Sequence, residues 1–135
     1  MRTTLWSVLM LLVIVGCSLP RTTRTSMIHD INLEQHMTPA ELTIQIGDEV
    51  RWINHRTLPA HIDMPGLTSG VLNCESGFSN LFGSVREYAE IPPGKSAHLC
   101  FSKGGAYNYN MRMEAAVPGG KLIEPGLIRV GITGR

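Results

Sequence analysis

Short runs of alternating apolar and polar residues recur from Met27 to the end of the chain, and they predict β-strands. Residues 41–46 place a leucine and two isoleucines on one face and polar side chains on the other, which is typical of a half-buried strand. After a turn at Gly47 and Asp48, residues 50–54 alternate in the same way, so we predict a hairpin-like pair. No stretch with helical periodicity exceeds about two turns.

The second half of the chain shows further strands separated by turns. A turn at residues 91–95 precedes an alternating run that ends in a phenylalanine, and a glycine pair precedes residues 107–113, where two tyrosines and two methionines share a face. Residues 127–130 form a last apolar run. Residues 62–90 are too long for a plain loop, so we expect a short strand or a helical turn there. This organisation predicts an all-β fold, an antiparallel β-sandwich.

The first residues have the features of an export signal. Arg2 precedes an apolar run at residues 5–15, which is shorter than the roughly 20 residues of a membrane-spanning helix. The run ends in Ile-Val-Gly-Cys at residues 14–17, which resembles a bacterial lipobox. In that family the chain is cleaved before the cysteine, and the cysteine carries lipid. An ordinary secretory signal or an N-terminal anchor is the alternative.

The lipobox resemblance implies a division of the chain into three parts. Residues 1–16 are the signal peptide, residues 17–26 are a polar tether that begins at the lipidated Cys17, and residues 27–135 form one domain. We therefore expect the protein in the bacterial cell envelope, anchored to a membrane by its N-terminal lipid and facing the periplasm. Ser18 beside the lipidated cysteine favours the outer membrane over the inner one.

Charge and cysteine content narrow the function classes. One of the 12 basic residues lies in residues 1–16, so the remaining chain holds 11 basic and 11 acidic residues. This balance gives no basic surplus for binding nucleic acid. Cys74 and Cys100 form an even pair in an exported domain, which predicts a disulfide that pins residues 62–90 to the sandwich. The alternative is a reduced pair that contributes thiolates to a metal site with His61.

Three segments resemble the cupredoxins, the family of plastocyanin and azurin. The first is Gly-Asp-Glu-Val-Arg-Trp-Ile-Asn at residues 47–54, followed by Leu-Pro-Ala-His at residues 58–61. The second is Gly-Ala-Tyr-Asn-Tyr at residues 105–109, and the third is Gly-Leu-Ile-Arg-Val at residues 126–130. In this order they are similar to the cupredoxin pattern over most of the predicted domain. The resemblance implies a Greek-key β-sandwich with a copper site at one end.

The residues at the copper-ligand positions depart from the cupredoxin pattern. A blue-copper centre uses two imidazoles, a thiolate and a weak axial thioether. His61 matches the first histidine, but Met111 stands in the cysteine position, Glu124 stands in the axial methionine position, and no histidine follows His98. The resemblance therefore implies a cupredoxin scaffold with a degenerate type 1 site and without an ordinary blue-copper centre.

A different copper site is compatible with the sequence. His61, Met111 and Met113 offer one imidazole and two thioethers, which suit Cu(I) better than Zn²⁺. The alternatives are that the two methionines fill the core and that His61 is a hydrogen-bonding residue at the rim. Further ligand candidates, which the sequence pattern places at the surface instead, are His98 with Cys100, Glu124, and an N-terminal group of His29, His36, Met27 and Met37.

The sequence contains no HExxH, Walker or GxGxxG motif and no nucleophile–base pair of known spacing, so we do not expect an enzyme. The leading hypothesis is a membrane-anchored cupredoxin-like lipoprotein that binds and hands on copper, or is accessory to an electron-transfer system. Its partner would be a redox protein or a copper enzyme. The alternative is a metal-free interaction module or a subunit of an envelope complex.

Overall fold

The computed structural model describes residues 26–115 and 117–131, and these residues fold into two β-sheets around one core. The predicted signal peptide, the lipidation site Cys17 and most of the tether lie outside the described residues. Within the described part of the chain, no helix is long and apolar enough to cross a membrane. The strands are β1 (Ile28–Leu33), β2 (Met37–Thr38), β3 (Glu41–Ile44), β4 (Glu49–Asn54), β5 (Ala60–Asp63), β6 (Leu72–Ser76), β7 (Tyr88–Ile91), β8 (Ser96–Phe101), β9 (Gly105–Glu114) and β10 (Lys121–Val130).

Each sheet contains five of these strands. The first sheet has the order β2-β1-β4-β8-β6, and the second has the order β3-β10-β9-β5-β7. Strands β1 and β4 run parallel to each other, as do β3 and β10, whereas the other neighbouring pairs are antiparallel. The predicted all-β sandwich is confirmed, and both of its sheets are mixed rather than purely antiparallel.

The predicted hairpin between residues 41–46 and residues 50–54 is wrong. Strand β3 lies in the second sheet beside β10, and β4 lies in the first sheet between β1 and β8. The chain crosses between the sheets at Gly47, whose φ of 91° is accessible to glycine at little steric cost. Alternation identifies the buried face of a strand but not its neighbour, so the pattern could not separate a hairpin from this crossover.

The carboxylate of Asp48 holds this crossover in place. It is 6% exposed and accepts hydrogen bonds from the backbone N–H of Met27 and of Gln45, both at 3.1 Å, and from His29 Nε2 at 2.9 Å. Burial alone would raise the pKa of Asp48. The hydrogen bonds from His29, Gln45 and Met27 outweigh that effect and hold the pKa of Asp48 below its ordinary value.

Replacing Asp48 by asparagine should therefore destabilise the protein at neutral pH and matter less in acid. Because the folded pKa is lowered, this stabilisation is present above the unfolded pKa of about 3.9 and is lost as the pH falls through the folded value. We expect D48N to lose about 1–3 kcal/mol in urea unfolding at pH 7, with the difference shrinking towards pH 3.

The matched control for this prediction is Glu41→Gln, which removes an exposed ion pair with Arg129. Exposed pairs contribute little, so E41Q should shift the unfolding free energy by at most about 0.5 kcal/mol at either pH. A D48N difference that stays constant between pH 7 and pH 3 would contradict the role given to the ionised Asp48.

The core is organised around Trp52 of β4. Its buried indole packs edge-on against Tyr109 of β9, with ring centroids 5.5 Å apart, and at a tilt against Phe78, with centroids 5.9 Å apart. Phe78 belongs to residues 62–90, which contain strand β6 and a single 3₁₀ turn at Ser69–Val71, as the length of this segment predicted. One side chain thus connects both sheets and the irregular segment.

The predicted disulfide between Cys74 and Cys100 is confirmed. The two residues are register partners on β6 and β8, and their Cα atoms lie 4.8 Å apart. The bond fastens the edge strand β6 to the first sheet. Both thiols are consumed by it, so the alternative thiolate site with His61 is not formed. Cys100 also lies with His98 on the outward side of β8, as the alternation of that strand indicated.

Candidate functional site

Three chain connections meet at the end of the sandwich where β5 begins. Residues 34–36 join β1 to β2, residues 55–59 join β4 to β5, and a turn after Glu114 joins β9 to β10. Side chains from all three connections line one open pocket of about 900 Å³. Two histidines, His36 and His55, are among the residues that line it, so this pocket is the candidate site.

The structure does not bring the three predicted copper ligands together. His61 pairs in register with Arg112, whereas Met113 and Met111 pair with the residues on either side of His61. Successive side chains of a strand point to opposite faces, so His61 lies on the outer face and the two methionines lie on the inner face. This placement corrects the prediction of a site that combines His61 with Met111 and Met113.

The two methionines are core residues. Met111 is 0% exposed and Met113 is 1% exposed, and both belong to the apolar core that surrounds Trp52. Flexible thioether side chains fill irregular core space well, which accounts for their presence there. The alternative interpretation of Met111 and Met113 as core filler agrees with this burial.

A continuous hairpin occupies the positions at which the resemblance places the remaining copper ligands. Strand β9 continues to Glu114 and β10 begins at Lys121, and Met111 pairs with Glu124 within this ladder. His61 faces outward and Met111 is enclosed by the core. The described residues therefore do not fit a type 1 copper ion, which needs two imidazoles and a thiolate in one plane.

Glu124 links the two sheets at this end of the sandwich. Its side chain is 18% exposed, Oε1 lies 2.6 Å from His36 Nδ1, and Oε2 accepts the backbone N–H of Met37 at 2.6 Å. The sequence-based view of Glu124 as a surface carboxylate is therefore corrected. Glu124 shares the inner face of β10 with Gly126 and Ile128, and this alternation could have located it.

The phenol of Tyr109 lies near this link and is a neutral hydrogen-bond donor. Burial raises the pKa of Tyr109 to about 12, and its hydroxyl donates to Met37 Sδ at 3.2 Å. Met37 is 4% exposed, so it is a core residue rather than part of an exposed ligand group. His29 is held by Asp48 at the other end of β1 from His36. The N-terminal histidines and methionines, which the sequence pattern placed at the surface, are thus dispersed, and Met37 is buried instead.

Two histidines from neighbouring connections line the pocket. His36 Nδ1 faces the Glu124 carboxylate, and His55 Nε2 lies 2.8 Å from Asn32 Oδ1. Since both partners are acceptors, each imidazole donates through that nitrogen, and in the neutral tautomer the other nitrogen carries the lone pair. Metal-binding histidines in proteins are commonly fixed by such a hydrogen bond from the second ring nitrogen.

The sequence pattern placed His36 at the surface, and its side chain is 73% exposed, whereas His55 was not singled out. Both line the same pocket because β1 and β4 are parallel neighbours that end side by side, with Leu33 paired to Asn54. The backbone N–H of His55 also donates to the carbonyl of Leu33 at 3.0 Å. Without knowledge of that pairing, the sequence carried no signal for the histidine pair.

The remaining polar groups of the pocket limit what it can hold. The Arg56 guanidinium donates to the backbone carbonyl of Glu114, and the Glu34 carboxylate also lines the pocket. Among residues 26–115 and 117–131, no group of three or more His, Cys, Asp or Glu side chains is arranged to hold a metal ion. A site made of two imidazoles alone would be an open one, completed by water or by a partner.

Comparisons with known proteins identify the fold. No protein-family model matches the chain, and no curated protein matches it. A solved structure of a reduced amicyanin mutant is 16% identical, with a TM-score of 0.50, and the match covers 76% of this chain and 81% of amicyanin. An amicyanin mutant in a Cu(I) form is 17% identical, with a TM-score of 0.49, and the match covers 76% of this chain and 81% of amicyanin. Another mutant in the oxidised state is 19% identical, with a TM-score of 0.49, and the match covers 78% of this chain and 82% of amicyanin. At these identities the similarity concerns the fold alone, and that fold is the cupredoxin-like β-sandwich.

Proposed function

We propose that this protein is a cupredoxin-like lipoprotein of the bacterial cell envelope that binds and hands on copper without a blue-copper centre. It is anchored through lipid on Cys17, faces the periplasm, and serves a redox protein or a copper enzyme as a carrier rather than as an enzyme. The cupredoxin-like fold supports a role in copper or electron-transfer chemistry. The lipobox-like residues 14–17 support the anchor.

The observation that carries the copper-binding part of this proposal is the pair of oriented imidazoles. His36 and His55 line one pocket, and each has one ring nitrogen hydrogen-bonded to an acceptor. Imidazole nitrogen suits both oxidation states of copper. An ion held by two protein ligands keeps open positions, so a partner can take it by ligand exchange.

Copper titration of histidine variants tests this proposal. The protein is produced from residue 18 onward, so that Cys17 is absent and the remaining cysteines are joined in the disulfide. We expect the wild type to bind one copper ion and the double variant H36A/H55A to lose at least about 1.4 kcal/mol of binding free energy, which is a tenfold weaker affinity. Competition with a chromophoric chelator measures both values.

The matched control is His61→Ala, which removes an imidazole from the outer face of the same sandwich. H61A should bind copper like the wild type. Loss of binding in H61A with retention in H36A/H55A would contradict the proposed site. Equal binding by wild type and H36A/H55A would contradict it as well.

A metal-free interaction module is the second candidate. Its support is that Met111 and Met113 are enclosed by the core and that Glu124 is engaged with His36 and Met37. With these positions occupied, the sandwich is stable without an ion and offers its surface to a partner. Absence of copper binding in the wild-type titration would favour this module over the carrier.

A further inference from the structure

A short hairpin between β6 and β7 holds two large apolar side chains in solvent. Leu81 and Phe82 have relative exposures of 101% and 93%, the highest among the large apolar residues that the structure describes. Single apolar side chains at a protein surface are ordinary. Two adjacent, fully exposed ones at the tip of a turn form a local apolar projection, which is typical of a contact surface.

The conformation of this tip is fixed by its own hydrogen bonds. The Asn80 side-chain carbonyl accepts the backbone N–H of Phe82 at 2.9 Å and of Ser84 at 3.0 Å. The backbone of Asn80 donates to the Ser84 carbonyl at 2.9 Å and accepts from Gly83 at 3.0 Å. Gly83 has a φ of 78°, which glycine adopts at little steric cost. The two apolar side chains are thus displayed by a defined turn.

The hairpin is also rooted in the core. Ser79 and Val85 form a bridge, and the backbone N–H of Arg86 donates to the carbonyl of Phe78 at 2.6 Å. Phe78 is fully buried and packs against Trp52. Because the stem is anchored in this way, the chain loses little additional conformational entropy when the tip binds a partner.

The residues of the hairpin and of its base have the order of side-chain types that is found at a membrane interface. Residues 78–85 contain no charged side chain. At the base, the Arg86 guanidinium lies 4.6 Å from the centre of the Tyr88 ring, and Tyr88 is half exposed. The nearby acids are engaged, since Glu75 accepts from Phe78 and Glu87 accepts from Gly66. An apolar end followed by tyrosine and arginine is the order found at the boundary between hydrocarbon and headgroups.

We propose that the Leu81–Phe82 tip inserts into the surface of the lipid bilayer and orients the domain on it. This inference rests on the lipid anchor of the proposed function. Residues 18–26 separate Cys17 from the domain, and an extended chain of that length reaches at most roughly 30 Å, so the anchored domain stays close to the bilayer. Because the proposed anchor keeps the domain beside the bilayer, the bilayer is the partner that we assign to the apolar tip.

Fluorescence of Phe82→Trp in the full lipidated chain tests this proposal. Trp52 is fully buried and supplies an emission that should not respond to lipid, and Trp6 lies in the segment predicted to be cleaved. In phosphatidylcholine vesicles, the emission of F82W should shift to shorter wavelength and be quenched at least twofold by brominated acyl chains. Salt should not change this, because apolar contacts carry the insertion. Adding Leu81→Asp should abolish both effects.

The matched control is Val117→Trp, at an exposed position in the turn between β9 and β10. V117W should be quenched by aqueous iodide and not by brominated lipid. Vesicle flotation separates the two proposals. Protein that floats while F82W keeps an aqueous emission overturns the insertion and leaves the anchor intact, whereas protein that does not float overturns both. A shift that depends on protein concentration without vesicles indicates self-association and overturns the insertion.

Discussion

Replacing Gly126 by alanine is expected to destabilise the protein by about 3 kcal/mol or more. Gly126 is buried on the inner face of β10. A Cβ atom added there would lie 2.5 Å from Cε1 and 2.6 Å from Cε2 of Tyr109, and closer still to Cζ. Contacts of this kind cannot be accommodated, so the aromatic ring or the strand has to move.

The Tyr109 ring cannot move without losing other contacts. It packs edge-on against Trp52, and its hydroxyl donates to Met37 Sδ at 3.2 Å. Met37 in turn donates its backbone N–H to Glu124, which links the two sheets. Displacement of the ring therefore disturbs both the core and the end of the sandwich, which is why we expect a larger effect than for an ordinary surface glycine.

Chemical denaturation of G126A measures this effect, with Gly70→Ala as the matched control. A Cβ atom at Gly70 would meet only Thr68 Oγ1, at 3.8 Å, which is an ordinary contact. G70A should thus leave the unfolding free energy within about 0.5 kcal/mol of the wild type. A stability of G126A equal to that of G70A would contradict the packing of Tyr109 across Gly126.

Removing the disulfide with the double substitution C74A/C100A should cost roughly 3.5 kcal/mol of unfolding free energy. The bond closes a loop with a sequence separation of 26, and the chain-entropy model of crosslinks gives that magnitude. Strand β6 is an edge strand whose neighbour in the sheet is β8, so the loss falls on residues 62–90 in particular. That segment carries Phe78 into the core beside Trp52.

Urea unfolding with and without reductant provides both measurement and control. Reductant should lower the stability of the wild type to near that of C74A/C100A and should leave the variant unchanged. A wild type that is insensitive to reductant under conditions where its thiols are shown to be free would contradict the stabilising role of the bond.

Strand faces and the cysteine pair could be predicted from the sequence, because they depend on local alternation and on residue type. The alternation of residues 96–101 placed His98 and Cys100 outward, and that of residues 107–113 placed the tyrosines and methionines on the inner face, as observed. Strand pairing could not be predicted in the same way. It depends on which segments meet in space, as the separation of β3 from β4 into different sheets illustrates.

The orientation of His61 could have been predicted from the alternation of β5. Ala60 and Ile62 are apolar and buried, so the alternation of β5 already places His61 on the opposite face from Met111 and Met113. Matching a histidine to a motif ignores the fact that a shift of one residue along a strand reverses the face. The placement of His36 and His55 at one pocket, by contrast, requires the parallel pairing of two distant strands and could not be read from either segment.

The most direct test of the central claim, a cupredoxin-like sandwich whose copper is held by surface imidazoles, is the electron paramagnetic resonance spectrum of the Cu(II)-loaded protein. We expect a signal with large copper hyperfine splitting and nitrogen coupling from His36 and His55, the imidazoles proposed as ligands at this pocket. A small hyperfine splitting, typical of copper bound to a cysteine thiolate, would contradict the account.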